Sequence, residues 1–306
     1  MFRATFIALS ESRSLRAIAE RSAIGRRLSS RFVAGMTVDD ALAATAATNA
    51  RGMTVSVDTL GENVTNIEEA YESEHLYHEL LDEIVNRKLD ANVSLKLTHM
   101  GLDVDEGVAR KIVNELVAHA ARQNSFVRID MEGSPYTEKT LQIVRELHRQ
   151  PGNAGHVGAV IQSYLRRSRA DVESLCAEGI RIRLCKGAYK EPEEIAYQGK
   201  AEVDGSFVEL MKILLKSGTY HGIATHDPKM IDATIAFARA ENVSPKSFEF
   251  QMLYGVRRDL QEQLIRDGWG MRVYIPFGTE WYPYLMRRLA ERPANAIFLA
   301  KNLFRR

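Results

Sequence analysis

The chain has 306 residues, 45% of them hydrophobic and 26% charged, with 41 Lys and Arg against 40 Asp and Glu, a net charge of +1. That length suits one large domain or two ordinary ones. The near-neutral charge implies no bulk attraction to nucleic acid. No apolar run reaches the ~20 residues that a membrane-spanning helix needs. The two cysteines, Cys176 and Cys185, form no CxxC and no zinc spacing, which points to reduced thiols in a cytoplasmic setting.

The first fifty residues are rich in Arg and Ser, as transit peptides are, but Glu11, Glu20, Asp39 and Asp40 speak against one. Helical periodicity there predicts an uncleaved helical arm over residues 1–50. Residues 51–306 then form a single domain, because no Pro/Gly/Ser-rich linker divides them. Short strand-like runs are expected at 53–58, 92–97, 126–130, 157–162, 180–184, 222–225, 247–251 and 271–275. Amphipathic helical stretches, such as 108–122, 138–149, 170–177 and 207–216, separate them. Eight strands alternating with helices over about 250 residues predict a (β/α)8 TIM-type barrel of the α/β class. An open doubly wound sheet is the alternative, weakened because no Gly-x-Gly-x-x-Gly follows a strand.

Within the strands, apolar and polar residues alternate. Val93, Leu95 and Leu97 oppose Ser94, Lys96 and Thr98, and Phe248 and Phe250 oppose Glu249 and Gln251. Side chains alternate faces along a strand. Flanking helices take the apolar face, so the polar face is expected to line the interior. Low in the barrel this predicts a salt-bridge network around Arg128, Glu249 and Arg272. At the C-terminal strand ends, where barrel enzymes build their sites, stand Asp58, Lys96, Asp130, Gln162, Arg183 with Lys186, His226, Gln251 and Tyr274. A complete ring of polar strand ends points to an enzyme site.

Two further stretches carry chemistry. In Gly278-Thr-Glu-Trp-Tyr-Pro-Tyr-Leu-Met-Arg-Arg-Leu-Ala-Glu291, Pro283 suits a first helical turn. Tyr284, Arg287, Arg288 and Glu291 then share one helix face, and Leu285 and Leu289 mark a packing face. Adjacent guanidiniums beside a phenol suit bidentate capture of a carboxylate or phosphate. In Arg183-Leu-Cys-Lys-Gly-Ala-Tyr189, two cations precede a glycine that lets backbone approach a ligand, which suits a phosphate-bearing or electron-rich cofactor. No HExxH or clustered His offers a metal site, and no Gly-x-Ser-x-Gly elbow is present. Lys96 at a strand end could form a Schiff base, as in barrel aldolases.

These stretches, together with SVDTLGE (56–62), SLKLTHMG (94–101), RIDMEG (128–133), QSYLRRS (162–168), ATHD (224–227) and FEFQMLYG (248–255), occur in one order. The chain so read resembles the FAD-dependent proline dehydrogenase family, in its stand-alone bacterial form. The resemblance implies a distorted barrel that holds FAD non-covalently at the strand C-termini. It implies oxidation of L-proline to Δ1-pyrroline-5-carboxylate by hydride transfer to flavin N5, with electrons passed to a membrane quinone. It also implies that any onward oxidation falls to a separate pyrroline-5-carboxylate dehydrogenase, and that the protein works at the inner face of the cytoplasmic membrane. The basic tail KNLFRR (301–306) could touch such a surface.

By the same resemblance, Arg287 and Arg288 with Lys96 hold the proline carboxylate, and Leu253, Tyr274 and Tyr284 wall the ring. Asp130 and Met131 lie near the flavin, Arg183 near its N5 and Gln162 beside the ring system. Lys186, Gly187, Ala188 and Tyr189 follow the ribityl and pyrophosphate, with Thr225, His226, Gln251 and Glu291 along the rest. Glu62 pairs with Arg287 as a gate. The bulk of Tyr274 should favour proline over 4-hydroxyproline. Three other enzymes remain open at this point: a 4-hydroxyproline dehydrogenase, a barrel of the methylenetetrahydrofolate reductase type, marked by NADH-dependent flavin reduction, and a Schiff-base aldolase, marked by borohydride trapping at Lys96. A binding scaffold would show neither flavin nor turnover. If the Arg pair grips substrate alone, Arg287→Ala or Arg288→Ala raises the KM for proline at least tenfold while the purified protein keeps its flavin. Loss of flavin from either variant would contradict the assignment.

Overall fold

The structure, a computed structural model, describes residues 29–61 and 63–291, with side chains up to residue 286. The arm up to residue 28, Glu62, the side chains of Arg287, Arg288 and Glu291, and the basic tail lie outside that description.

Among the described residues, strand and helix alternate after α1 (Val38–Asn49). The order is β1 (Thr54–Thr59), α2 (Ile67–Asn86), β2 (Ala91–Leu95), α3 (Glu106–Arg122), β3 (Val127–Ile129) and α4 (Ser134–Arg149). There follow β4 (Val157–Gln162), α5 (Ser168–Ala177), β5 (Arg181–Cys185), α6 (Lys200–Lys216), β6 (His221–Ala224), α7 (Pro228–Ala240), β7 (Phe248–Leu253), α8 (Arg258–Arg266), β8 (Met271–Phe277) and α9 (Trp281–Glu291). All neighbouring strands are parallel, and β1 pairs with β8, closing the barrel. The expected strands coincide with the observed ones to within two residues. Closure excludes the open doubly wound sheet.

Local chemistry sets the helix ends. Thr37 caps α1 by accepting from the Asp40 N–H, and the Asp40 carboxylate returns the bond to the Thr37 N–H, a reciprocal box that satisfies two otherwise orphaned donors. Pro228 opens α7 behind Asp227, whose carboxylate accepts from the Lys229 N–H.

The apolar side of each strand faces the helices. Val55, Val57, Val93, Leu95, Ile129, Ile182, Leu184, Phe250 and Ile275 are all fully buried in one core. The polar-interior expectation holds at six strands and is relaxed at two. On β4 the inward positions are Gly158 and Val160, and on β6 Gly222 and Ala224, because the register sets Gly158 beside Arg128 and Arg181, and Gly222 beside Arg183 and Glu249. Small residues on two strands make room for long side chains from three others. A Cβ at Gly222 would lie 2.2 Å from Gln251 Nε2.

The predicted salt-bridge network is present only in part. Arg272 Nε donates to Glu249 Oε1 at 2.6 Å. Arg128 instead donates from Nη1 to the carbonyls of Ala159 (3.0 Å) and Arg181 (2.7 Å), because its strand position sits beside bare backbone at β4 and no carboxylate reaches it.

A second, smaller apolar cluster carries α9. Phe32, Val33 and Leu60 pack with Trp281, Tyr282, Tyr284, Leu285 and Met286. The Leu285 side of the helix is thus the packing side, as expected, and Tyr284 is buried there too.

At the base of β6, His221 Nδ1 accepts the Ile182 N–H at 3.0 Å, so its proton sits on Nε2, which faces Ser217 Oγ at 2.8 Å. Burial, then Arg128 and Arg181, push this imidazole down to about 3 from 6.5. A depressed folded value contributes stability above pH 6.5 that is lost as pH falls towards 3. The stability advantage of the wild type over His221→Gln should therefore shrink by a few kcal/mol between pH 7 and pH 4. Urea denaturation at both pH values measures it, and a constant gap would refute the neutral, buried imidazole.

Candidate active site

The C-terminal ends of six strands converge on one hydrogen-bonded cluster. Arg183, from β5, is its centre. Its Nε donates to Gln251 Oε1 (2.5 Å), Nη1 to Asp130 Oδ1 (2.7 Å), and Nη2 to both Ser56 Oγ (3.1 Å) and Ser94 Oγ (3.0 Å). A guanidinium has five N–H donors in a fixed plane, and these bonds use four of them. The same guanidinium lies 5.2 Å from the centre of the Tyr274 ring.

Above it, the Tyr274 hydroxyl stands between two carboxylates, 2.6 Å from Asp58 Oδ2 and 3.0 Å from Asp130 Oδ2. Lys96 Nζ donates to Asp58 Oδ2 at 3.1 Å, and the Tyr77 hydroxyl, which donates to the Ser94 carbonyl, lies 3.2 Å from Asp58 Oδ1. Burial raises the Asp130 carboxyl above its usual range, against the pull of Arg183 and Lys96. Burial, then Asp130 and Asp58, hold the Tyr274 phenol well above its ordinary value, so it remains a proton donor. Two cations, two carboxylates and one phenol meet at the strand ends, Asp58 and Arg183 buried and Lys96, Asp130 and Tyr274 partly exposed, an arrangement that can bind a zwitterion or pass a proton along a fixed line.

Below, Gln251 Nε2 donates to Glu249 Oε1 at 2.6 Å, and Glu249 in turn accepts from Arg272 and from the Tyr220 hydroxyl (3.0 Å). Arg183 is thereby tied to the floor of the barrel.

The structure therefore brings Asp130, Arg183, Gln251 and Tyr274 together in one network, which Lys96 joins through Asp58. Gln162 is buried nearby and donates to the Glu132 carbonyl at 2.9 Å. Met131 is buried in the main core cluster. Leu253 and His226 meet through the Leu253 N–H and His226 Nε2 at 2.9 Å, and Thr225 Oγ1 accepts from the Asp227 N–H. Tyr189 is exposed.

Two expectations change in detail. Lys186 is no free cation, since its Nζ donates to Asp204 and to Asp227 (2.7 Å); a phosphate there would share it with two carboxylates. Gly187 has φ +107, and a Cβ would strike the Tyr164 ring at 2.3 Å. A neighbouring aromatic thus requires this glycine, independently of any ligand. Tyr284 is buried in the small apolar cluster that carries α9.

Sequence reading placed Asp58 at a strand end without assigning it to substrate or cofactor, and it missed Ser56, Ser94 and Tyr77. Parity alone could have found the serines, which share the inward face with Asp58 and Lys96. The link through Tyr77 comes from a helix and leaves no such signal. Cys185, whose thiol burial pushes up to about 12, is inert as a nucleophile.

The fold and this cluster define a barrel enzyme with its site at the strand C-termini. The family model described as proline dehydrogenase matches residues 41–301. The chain is 38% identical over 307 residues to proline dehydrogenase 1 of Bacillus subtilis subsp. natto, covering all of both chains. It is 39% identical to proline dehydrogenase of Deinococcus radiodurans over 281 residues, 91% of this chain and 90% of that one. Among solved structures it resembles proline utilization A (PutA) from Bdellovibrio bacteriovorus inactivated by N-propargylglycine, with a TM-score of 0.84 and 26% identity, covering 95% of this chain and 36% of that longer one. The chain belongs to the proline dehydrogenase family.

Replacing Tyr274 by Phe removes the only hydroxyl between Asp58 and Asp130. Leaving buried acceptors without a donor costs ~1–3 kcal/mol, so the denaturation midpoint of Tyr274→Phe should fall by a few degrees. An unchanged midpoint would show that the hydroxyl does not hold the carboxylates together.

Proposed function

We propose that this protein oxidises L-proline to Δ1-pyrroline-5-carboxylate, with FAD bound at the strand C-termini and a membrane quinone as final acceptor. The observation that carries the reading is the convergence of Lys96, Asp58, Tyr274, Asp130 and Arg183 at one opening, in a chain of the proline dehydrogenase family.

The family is one of flavoenzymes, and the residues present fit a flavin. The mouth is donor-rich, as an electron-accepting, anionic ring system requires, and Arg183 retains one N–H that no protein acceptor takes among the described bonds. Arg183, Asp130, Met131, Gln162 and Gln251 would lie at the ring system. Lys186 to Tyr189, Thr225, His226 and Glu291 would follow the ribityl, phosphates and adenosine. When bound, the flavin supplies the electron acceptor for the C–H oxidation.

The protein's own part is positioning. Lys96 is fixed by Asp58, and Arg287 and Arg288 follow on α9, whose first turns pack on Leu60 just past the end of β1. Together they suit a carboxylate clamp that holds the substrate ring in one orientation, which is where such a site gains most of its rate. Leu253 and Tyr274 supply the apolar and aromatic walls, and Glu62 is the candidate gate for Arg287. Substrate amine must be neutral before it is oxidised, and nearby cations favour its neutral form. Any proton it releases meets Asp58 and Asp130, which the Tyr274 hydroxyl already joins. A Schiff-base role for Lys96 is disfavoured by the ion pair with Asp58, which works against a free amine.

Among the described residues no helix is long and apolar enough to cross a membrane. Contact with a quinone-bearing membrane would fall to the arm or tail. The product would pass to a separate pyrroline-5-carboxylate dehydrogenase.

The test is an absorption spectrum of the purified protein before and after L-proline without oxygen. Flavin bands should bleach with proline, and far less with 4-hydroxyproline because of Tyr274. Bands untouched by proline would overturn the substrate, and a protein that takes up no FAD would overturn the cofactor as well.

A further inference from the structure

The opposite, N-terminal end of the barrel holds a feature that the proposed reaction does not use. A basin of about 480 Å³ opens between Asn92, Ser125, His156, Arg181 and Arg272. It leads to an inner compartment of about 40 Å³ whose charged lining is Arg128, Arg181, Arg272 and Glu249. Three guanidiniums face one carboxylate.

Only Arg272 is compensated, by Glu249 at 2.6 Å. Arg128 is 5% exposed and makes no ion pair among the described residues. Its Nη1 donates to two backbone carbonyls, and its buried Nε has no hydrogen-bond partner. Arg181 makes a single long contact, Nη1 to the Gly155 carbonyl at 3.5 Å, and no ion pair among the described residues. Its guanidinium instead lies 5.2 Å from the ring centres of both Phe126 and Tyr220, while Arg128 lies 4.6 Å from the same Phe126 ring. Asp90 stands exposed at the rim and does not reach either group.

Buried cations without counter-charge are costly, and an unsatisfied buried donor adds to that cost. Water could satisfy the donor but would leave the charge. We propose that this end of the barrel binds a small oxyanion, the carboxylate or phosphate group of a metabolite, between Arg128 and Arg181. The inner compartment takes the oxyanion, which matches the planar fork of a guanidinium. The wider basin takes the remainder of the molecule.

Isothermal titration of the purified protein with inorganic phosphate, and separately with acetate, at constant ionic strength tests it. Saturable binding is expected in at least one arm. Phosphate alone assigns a phosphate group; acetate, or both, assigns a carboxylate. Arg181→Gln, a change at a half-buried position that should not prevent folding, weakens the binding at least tenfold. Arg287→Ala, at the other end of the barrel, leaves it unchanged. No saturable heat in either arm overturns the proposal. So does binding that survives Arg181→Gln, or binding that Arg287→Ala removes.

Discussion

A guanidinium fixed on the barrel axis is the constraint on which the rest depends. Arg183 reaches four strands besides its own, through Asp130, Gln251, Ser56 and Ser94. Its charge could not stay in that interior without the carboxylate of Asp130 and the surrounding hydroxyl and amide oxygens. Each of those groups is in turn held by another. Gln251 is held by Glu249, Asp130 by Tyr274, and Tyr274 by Asp58. The pieces of the site are therefore set by mutual satisfaction as much as by the strands that bear them.

This arrangement explains why the barrel tolerates so polar a lining. The helices outside supply a continuous apolar core, and that core carries the stability of the fold. The interior is then free to be charged, provided every charge is answered. It is answered at the C-terminal end, where Lys96 pairs with Asp58, Arg183 pairs with Asp130, and the Tyr274 hydroxyl joins the two carboxylates. At the N-terminal end Arg128 and Arg181 are not answered by protein carboxylates.

Much of this was legible in the chain. Period-two alternation located the strands and their inward faces, and the C-terminal end of each strand named Lys96, Asp130, Arg183, Gln251 and Tyr274 as neighbours. What alternation cannot show is which inward residues meet across the barrel, because that depends on the stagger between strands. Asp58 looked like one acid among many until closure set it against Lys96 and Tyr274. Lys186 looked like a ready phosphate ligand, but Asp204 on α6 and Asp227 at the cap of α7 reach it from 18 and 41 residues away. Arg128 looked paired, whereas the glycine beside it on β4 offers only backbone. Apolar periodicity is a local property and was read correctly. Pairing of charges is a long-range property, and a list of residues does not contain it.

The small cluster of Phe32, Val33, Leu60 and the first turns of α9 is separate from the core of the barrel. Helix α9, which bears the two arginines, is thus seated on a foundation of its own. A change of volume at Phe32 or Trp281 would tilt that helix over the opening and leave the interior ring undisturbed. The molecule can in this way vary what it admits without altering what it does, and divergence among relatives should run fastest through this joint.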